Sequence, residues 1–176
     1  MKVLLLIPEG FSEIDTFTVL DILRRSGIEV TTCGIAASAV AGARRAAITA
    51  DAKLDNVSAE DYGMLILPGG PGYKNLLNSA SVMKLIKAFA AQKRYIAAMC
   101  EAPLALAKAG VIDDKIVTVY PGLEQQVPRP REAKVIVADN IITCRSSSTA
   151  TDLALKLVEI AAGKKAAQKT KQEIFG

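Results

Sequence analysis

The sequence predicts an α/β protein built as a three-layer sandwich, with a mainly parallel sheet between two layers of helix. Three observations carry that prediction. Short, continuous apolar runs at Val3–Ile7, Met64–Leu67 and Tyr95–Met99 read as strands buried on both faces. Stretches of helical periodicity separate them. Strand and helix then alternate along the chain with no repeat and no interdomain linker. At 176 residues the chain is long enough for one domain with a full core, spanning residues 1–176. With 51% hydrophobic residues and no tryptophan, that core must be aliphatic.

The elements follow in order. Val3–Ile7 is the first strand, and the loop Pro8-Glu9-Gly10-Phe11 leads into a helix from about Ser12 to Ser26, stopped by Gly27. Ile28–Ile35 is the next strand and completes a right-handed βαβ unit. Residues 36–55 are alanine-rich and turn-prone, with a short strand at Ala46–Ala50 after Arg44 and Arg45. Met64–Leu67 ends in Pro68-Gly69-Gly70-Pro71-Gly72. Helical spacing then resumes through Val82, Leu85, Ile86 and Phe89, with Ser81 as N-cap.

Tyr95–Met99 stops abruptly at Cys100. From Glu101 the pattern is helical, with Ala102, Ala105, Leu106 and Ala109 on one face and Pro103 in the first turn. Lys115–Val119 reads as a strand, followed by an irregular loop over Tyr120–Arg131. Lys134–Ala138 and Ile141–Cys144 form a hairpin across Asp139-Asn140. A last long helix starts near Ser148 or Thr149 and runs to about Ala162. The tail from Gly163 to Gly176 is a helical extension whose Lys164, Lys165, Lys169 and Lys171 make a solvated face rather than a nucleic-acid site.

Composition narrows the chemistry. The net charge of +4 is modest and demands no anionic partner. No apolar stretch approaches the ~20 residues of a membrane span, and Val3–Ile7 is too short for a signal peptide. Three cysteines at irregular spacing make neither a disulfide framework nor a metal site, which suits reduced thiols in the cytoplasm. The chain has no histidine, so Ser-His-Asp and Cys-His triads and His-ligated metals are excluded.

Cys100 is the candidate nucleophile. A cysteine on a strand-to-helix turn has the geometry of a nucleophile elbow. The N–H groups at the helix start are expected to lower its pKa below the free value of ~8.5. Taken alone, Cys100 reads more readily as a small buried hydrophobe than as a nucleophile. Ligands in such sheets bind at the carboxyl ends of the strands, near the topological switch point. The loops after Ile7, after Leu67 and at Cys100 all emerge there. Gly69 and Gly70 would let backbone N–H groups approach a reacting oxygen, as in an oxyanion hole. Neither GxxxxGK[ST] nor GxGxxG with its acidic partner is present, so this is no phosphate loop.

These features together resemble the ThiJ/PfpI superfamily, whose flavodoxin-like fold is shared with class I glutamine amidotransferases. The residues that carry the likeness are Leu67-Pro68-Gly69-Gly70, Ile96-Ala97-Ala98-Met99-Cys100 with Pro103, and the opening from Pro8 to Asp15. Leu20 to Gly27 is similar to the branch of the human parkinsonism-associated protein deglycase and its bacterial relatives. The resemblance implies a reactive cysteine, easily oxidised to a sulfinate and hydrogen-bonded by a carboxylate of the first helix. Asp15 matches that position, where glutamate is usual. It is one methylene shorter, which leaves open direct contact with the sulfur or a bridging water. Ser12-x-x-Asp15 is also a capping-box-like pattern.

The family's oxyanion hole maps to the N–H groups of Gly70 and Glu101. Tyr120 stands where this branch has histidine, and Glu101 where PfpI-type peptidases have it, which argues against a Cys-His peptidase. Ser146, Ser147 and Ser148 replace the glycine and proline that relatives carry after the final strand. Arg145 and Arg44 match basic residues near the family's pocket or dimer interface. Cys33 and Cys144, in strand-like runs, read as inert. The implied activity needs no cofactor or metal. It is a glyoxalase turning methylglyoxal into lactate, or a deglycase acting on glycated substrates, in a homodimer that binds neither nucleic acid nor membrane. Cys100 would add to the aldehyde as a hemithioacetal, and Asp15 would move the proton through an enediol. The alternative is a redox-responsive or chaperone-like protein whose output follows oxidation of Cys100.

Overall fold

The computed structural model describes residues 1–176. Every residue of β1 (Val3–Ile7) is buried. Its side chains divide between two cores, Val3, Leu5 and Ile7 on one face of the sheet and Leu4 and Leu6 on the other. The same split recurs in β6 (Met64–Leu67) and β7 (Tyr95–Met99). That is why these runs are apolar at every position instead of alternating. The remaining strands are β2 (Val30–Gly34), β3 (Ala39–Ala41), β4 (Ala47–Thr49), β5 (Ala52–Lys53), β8 (Val135–Ala138) and β9 (Ile141–Cys144).

Seven strands form the central sheet in the order β5-β2-β1-β6-β7-β9-β8. All neighbours are parallel except β8 and β9, which make the antiparallel hairpin foreseen across Asp139-Asn140. Asp139 takes a φ of 55° in that turn. Helices α1 (Glu13–Arg25), α5 (Ala150–Ala162) and α6 (Lys164–Phe175) cover one face. Helices α2 (Tyr73–Asn78), α3 (Ala80–Ala91) and α4 (Pro103–Lys108) cover the other. The predicted α/β sandwich is therefore the observed fold. Phe11, Phe89 and Tyr62 are the large aromatic members of an otherwise aliphatic core. The basic tail folds back as α6, anchored where Thr170 Oγ1 meets Ser26 Oγ at 2.8 Å. No helix is long and apolar enough to cross a membrane.

Three local expectations are corrected. Lys115–Val119 forms no strand, only an isolated bridge between Val117 and Pro130. Pro128 and Pro130 in the facing segment lack the N–H groups that a ladder needs, and the place beside β7 is taken by β9, with Ile96 opposite Ile141. The N-cap of α3 is Ser79, whose Oγ accepts the Val82 N–H at 3.3 Å, not Ser81. The separate short helix α2 was not foreseen.

Candidate active site

The chain leaves β1 for β2 on one side and returns to β6 on the other, so the switch point lies between β1 and β6. Loops from the carboxyl ends of β1, β6 and β7 meet there. The first two are tied by backbone hydrogen bonds, Ser12 N–H to Gly69 O and Gly72 N–H to Gly10 O, each at 2.8 Å. The turn between β3 and β4 closes over them. Glu13 Oε1 accepts the Arg44 N–H at 2.6 Å and the Ala46 N–H at 3.4 Å.

Cys100 sits at the elbow with a φ of 55°, a conformation disfavoured for a residue with a Cβ. Backbone bonds on both sides hold it there. Its N–H donates to Cys144 O and its carbonyl accepts from Tyr120 N–H, both at 2.8 Å. Its Sγ lies 2.9 Å from Asp15 Oδ2 and 3.8 Å from Ser147 Oγ. Asp15 thus reaches the sulfur directly. The shorter side chain suffices because the α1 start is drawn in by the Ser12–Gly69 bond.

The carboxyl group of Asp15 is fully buried. Oδ2 also accepts the Gly69 N–H at 3.1 Å, and Oδ1 has no partner. The capping role belongs to the backbone instead: Asp15 N–H donates to Ser12 Oγ at 3.3 Å. The reciprocal arm of a capping box is not made, because the Ser12 N–H is given to Gly69.

The expected fall in the Cys100 pKa is overturned. Burial pushes the thiol far up, and the charge of Asp15 and its hydrogen bond push it further, against a smaller opposing effect of Ser147. The helix expected to favour the thiolate is only six residues long and starts three positions on, so its dipole is weak. The thiol therefore keeps its proton at neutral pH. Burial first, with lesser contributions from charged neighbours, also pushes Cys33 and Cys144 up to about 11. Both stay thiols at neutral pH.

A second carboxylate lies close by, near the same glycine loop. Glu101 Oε2 accepts the Gly70 N–H at 2.9 Å. Both glycine N–H groups are therefore held by carboxylates, and the Glu101 N–H is the one that donates to no protein group. A cavity of about 280 Å³ opens above the sulfur. Among the residues singled out in the sequence, Gly70, Glu101, Tyr120, Arg44 and Ser147 line it together with Cys100. Gly69 lies behind the wall, wedged between Asp15 and Cys100. Pro103 is buried at the first turn of α4. Arg145 is turned away to Glu132 at 3.4 Å and takes no part in the wall. Glu13, which pins the cavity's roof, was missed. Its partners are backbone N–H groups about thirty residues away, and no spacing rule finds those.

The model of the DJ-1/PfpI family matches residues 1–160. The chain belongs to the DJ-1/PfpI family. Its Drosophila melanogaster relative, Protein dj-1beta, is 35% identical over 94% of this chain and 91% of its own. A Caenorhabditis elegans family member named glutathione-independent glyoxalase DJR-1.2 is 29% identical, over 91% of this chain and 88% of its own. Among solved DJ-1 structures, oxidized Toxoplasma gondii DJ-1 superposes with a TM-score of 0.94 at 31% identity, covering 98% of this chain and 97% of that one.

Proposed function

We propose that this DJ-1/PfpI-family chain is a cofactor-independent enzyme of small reactive carbonyl compounds, a glyoxalase that turns methylglyoxal into lactate. The observation that carries the reading is the 2.9 Å contact between Cys100 Sγ and Asp15 Oδ2 beside the cavity. A buried acid touching a buried thiol can take its proton as the sulfur attacks. The sulfur–carbon bond forms at the aldehyde and the thiol proton moves to Oδ2. The carbonyl electron pair goes onto oxygen, where the free Glu101 N–H stabilises it. Asp15 then gives the proton to that oxygen, leaving a neutral hemithioacetal.

The glyoxalase name of the Caenorhabditis elegans relative supports this reading. So does the cavity's size, which suits a three-carbon dicarbonyl better than a glycated protein side chain. A sensor that waits for peroxide needs a resting thiolate, and burial with an adjoining carboxylate works against one. The test is lactate formation from methylglyoxal. Cys100→Ser is expected to reduce it to the uncatalysed background, and lactate formed at the wild-type rate by that variant would end the proposal.

A further inference from the structure

Formation of the hemithioacetal is only the first proton transfer. The second moves hydrogen from carbon 1 to carbon 2, and the chain has no histidine to do it. Asp15 is poorly placed for that step. It is fully buried, its Oδ2 already faces Sγ and the Gly69 N–H, and it does not reach the cavity wall. Glu101 does reach the wall. A Cβ built on Gly69 would lie 2.5 Å from the Cys100 Cβ and 2.8 Å from Glu101 Oε2, so this carboxylate is an immediate neighbour of the nucleophile. It is aimed by the neutral Gly70 N–H at 2.9 Å, and no lysine or arginine forms a salt bridge with it.

We propose, resting on the reactive-carbonyl reading above, that Glu101 is the second catalytic base and carries the proton from carbon 1 to carbon 2. Its carboxylate takes the carbon-1 proton of the hemithioacetal. The electron pair of that C–H bond becomes the double bond between the two carbons, and the ketone π pair moves onto its oxygen. The hydroxyl proton on carbon 1 passes to the oxygen on carbon 2. Protonated Glu101 then returns its proton to carbon 2 as the carbonyl on carbon 1 forms, giving an isomeric lactoyl thioester. Water cleaves the thioester, and Cys100 leaves with a proton restored. The Gly70 N–H is handed over within the same cycle: once the carboxylate is protonated its charge-assisted hold weakens, and the N–H is free for the substrate oxygen.

The test compares wild type with Glu101→Gln and Glu101→Ala, reading kcat, KM for methylglyoxal and the rate of Cys100 alkylation by iodoacetamide. Glutamine keeps an oxygen for the Gly70 N–H but cannot take a proton. Both variants are expected to lose roughly 10²–10⁴-fold in kcat. Glu101→Gln should keep KM and the alkylation rate within roughly threefold of wild type. Full kcat in Glu101→Gln overturns the proposal. So does a Glu101→Ala faster than wild type, which would make the carboxylate a mere occupant of the Gly70 N–H. Alkylation falling in step with kcat also overturns it, since Glu101 would then act on the sulfur and not on the carbon. Lactate formation that survives Cys100→Ser defeats the underlying reading instead, and the role of Glu101 falls with it.

Discussion

Gly70→Ala is expected to destabilise the protein by about 2–5 kcal/mol, from left-handed strain and from overpacking together. Gly70 has a φ of +91°, and a Cβ there would meet Ser12 N at 2.5 Å and Ser12 Cα at 2.9 Å. Neither atom can yield, because Ser12 is the N-cap of α1 and its N–H is bonded to Gly69 O. Relief requires the β1 and β6 loops to part, and with them Asp15 and the Gly69 N–H it holds. Gly27→Ala is the control. It has a φ of +76° but nothing within 4 Å of a built Cβ, so it pays only the conformational strain of about 1–2 kcal/mol. Urea unfolding of the two variants separates strain from collision. Equal losses would mean that the packing of Ser12 against the glycine loop contributes nothing.

Asp15→Asn is expected to lower kcat for lactate formation by roughly 10²–10⁴-fold while stability changes by less than about 1 kcal/mol. Asparagine is close to isosteric, and its carbonyl can still accept the Gly69 N–H that now reaches Oδ2 at 3.1 Å. What it cannot do is receive the thiol proton across 2.9 Å. Were Asp15 present only as an acid at a helix start, the variant would lose about 0.3–1 kcal/mol and keep its activity. The cap itself is untouched, since the bond to Ser12 Oγ comes from the Asp15 backbone. Steady-state kinetics beside thermal unfolding tell the two roles apart.

The frame of the protein is legible in the sequence because each interior strand must be apolar on both sides, and few other structures make that demand. The elbow at Cys100 is legible for a related reason: an apolar run that ends abruptly where helical spacing begins marks a strand-to-helix turn. What fails is whatever depends on distant partners. Lys115–Val119 has the composition of a strand, but prolines in the facing segment and the claim of β9 on β7 deny it a ladder. Arg145 looks like a pocket residue until Glu132 draws it off.

The direction of the Cys100 shift fails in a more instructive way. A helix start favours a thiolate, and that effect is local and readable. Burial and the adjoining Asp15 carboxylate oppose it, and both are properties of the assembled fold. Glu101 is similar. Its backbone N–H could be named from position alone, whereas the carboxylate's grip on Gly70 could not.

In the proposed reaction Cys100 bonds to the carbonyl carbon of the substrate. Rapid-quench mass spectrometry of the protein mixed with methylglyoxal tests it most directly, because hemithioacetal and lactoyl thioester are isomers and both add the mass of one methylglyoxal. That adduct is expected on the peptide carrying Cys100, appearing before lactate and absent from Cys100→Ser. Adducts confined to arginine, lysine or the other two cysteines, with lactate still forming, would contradict it.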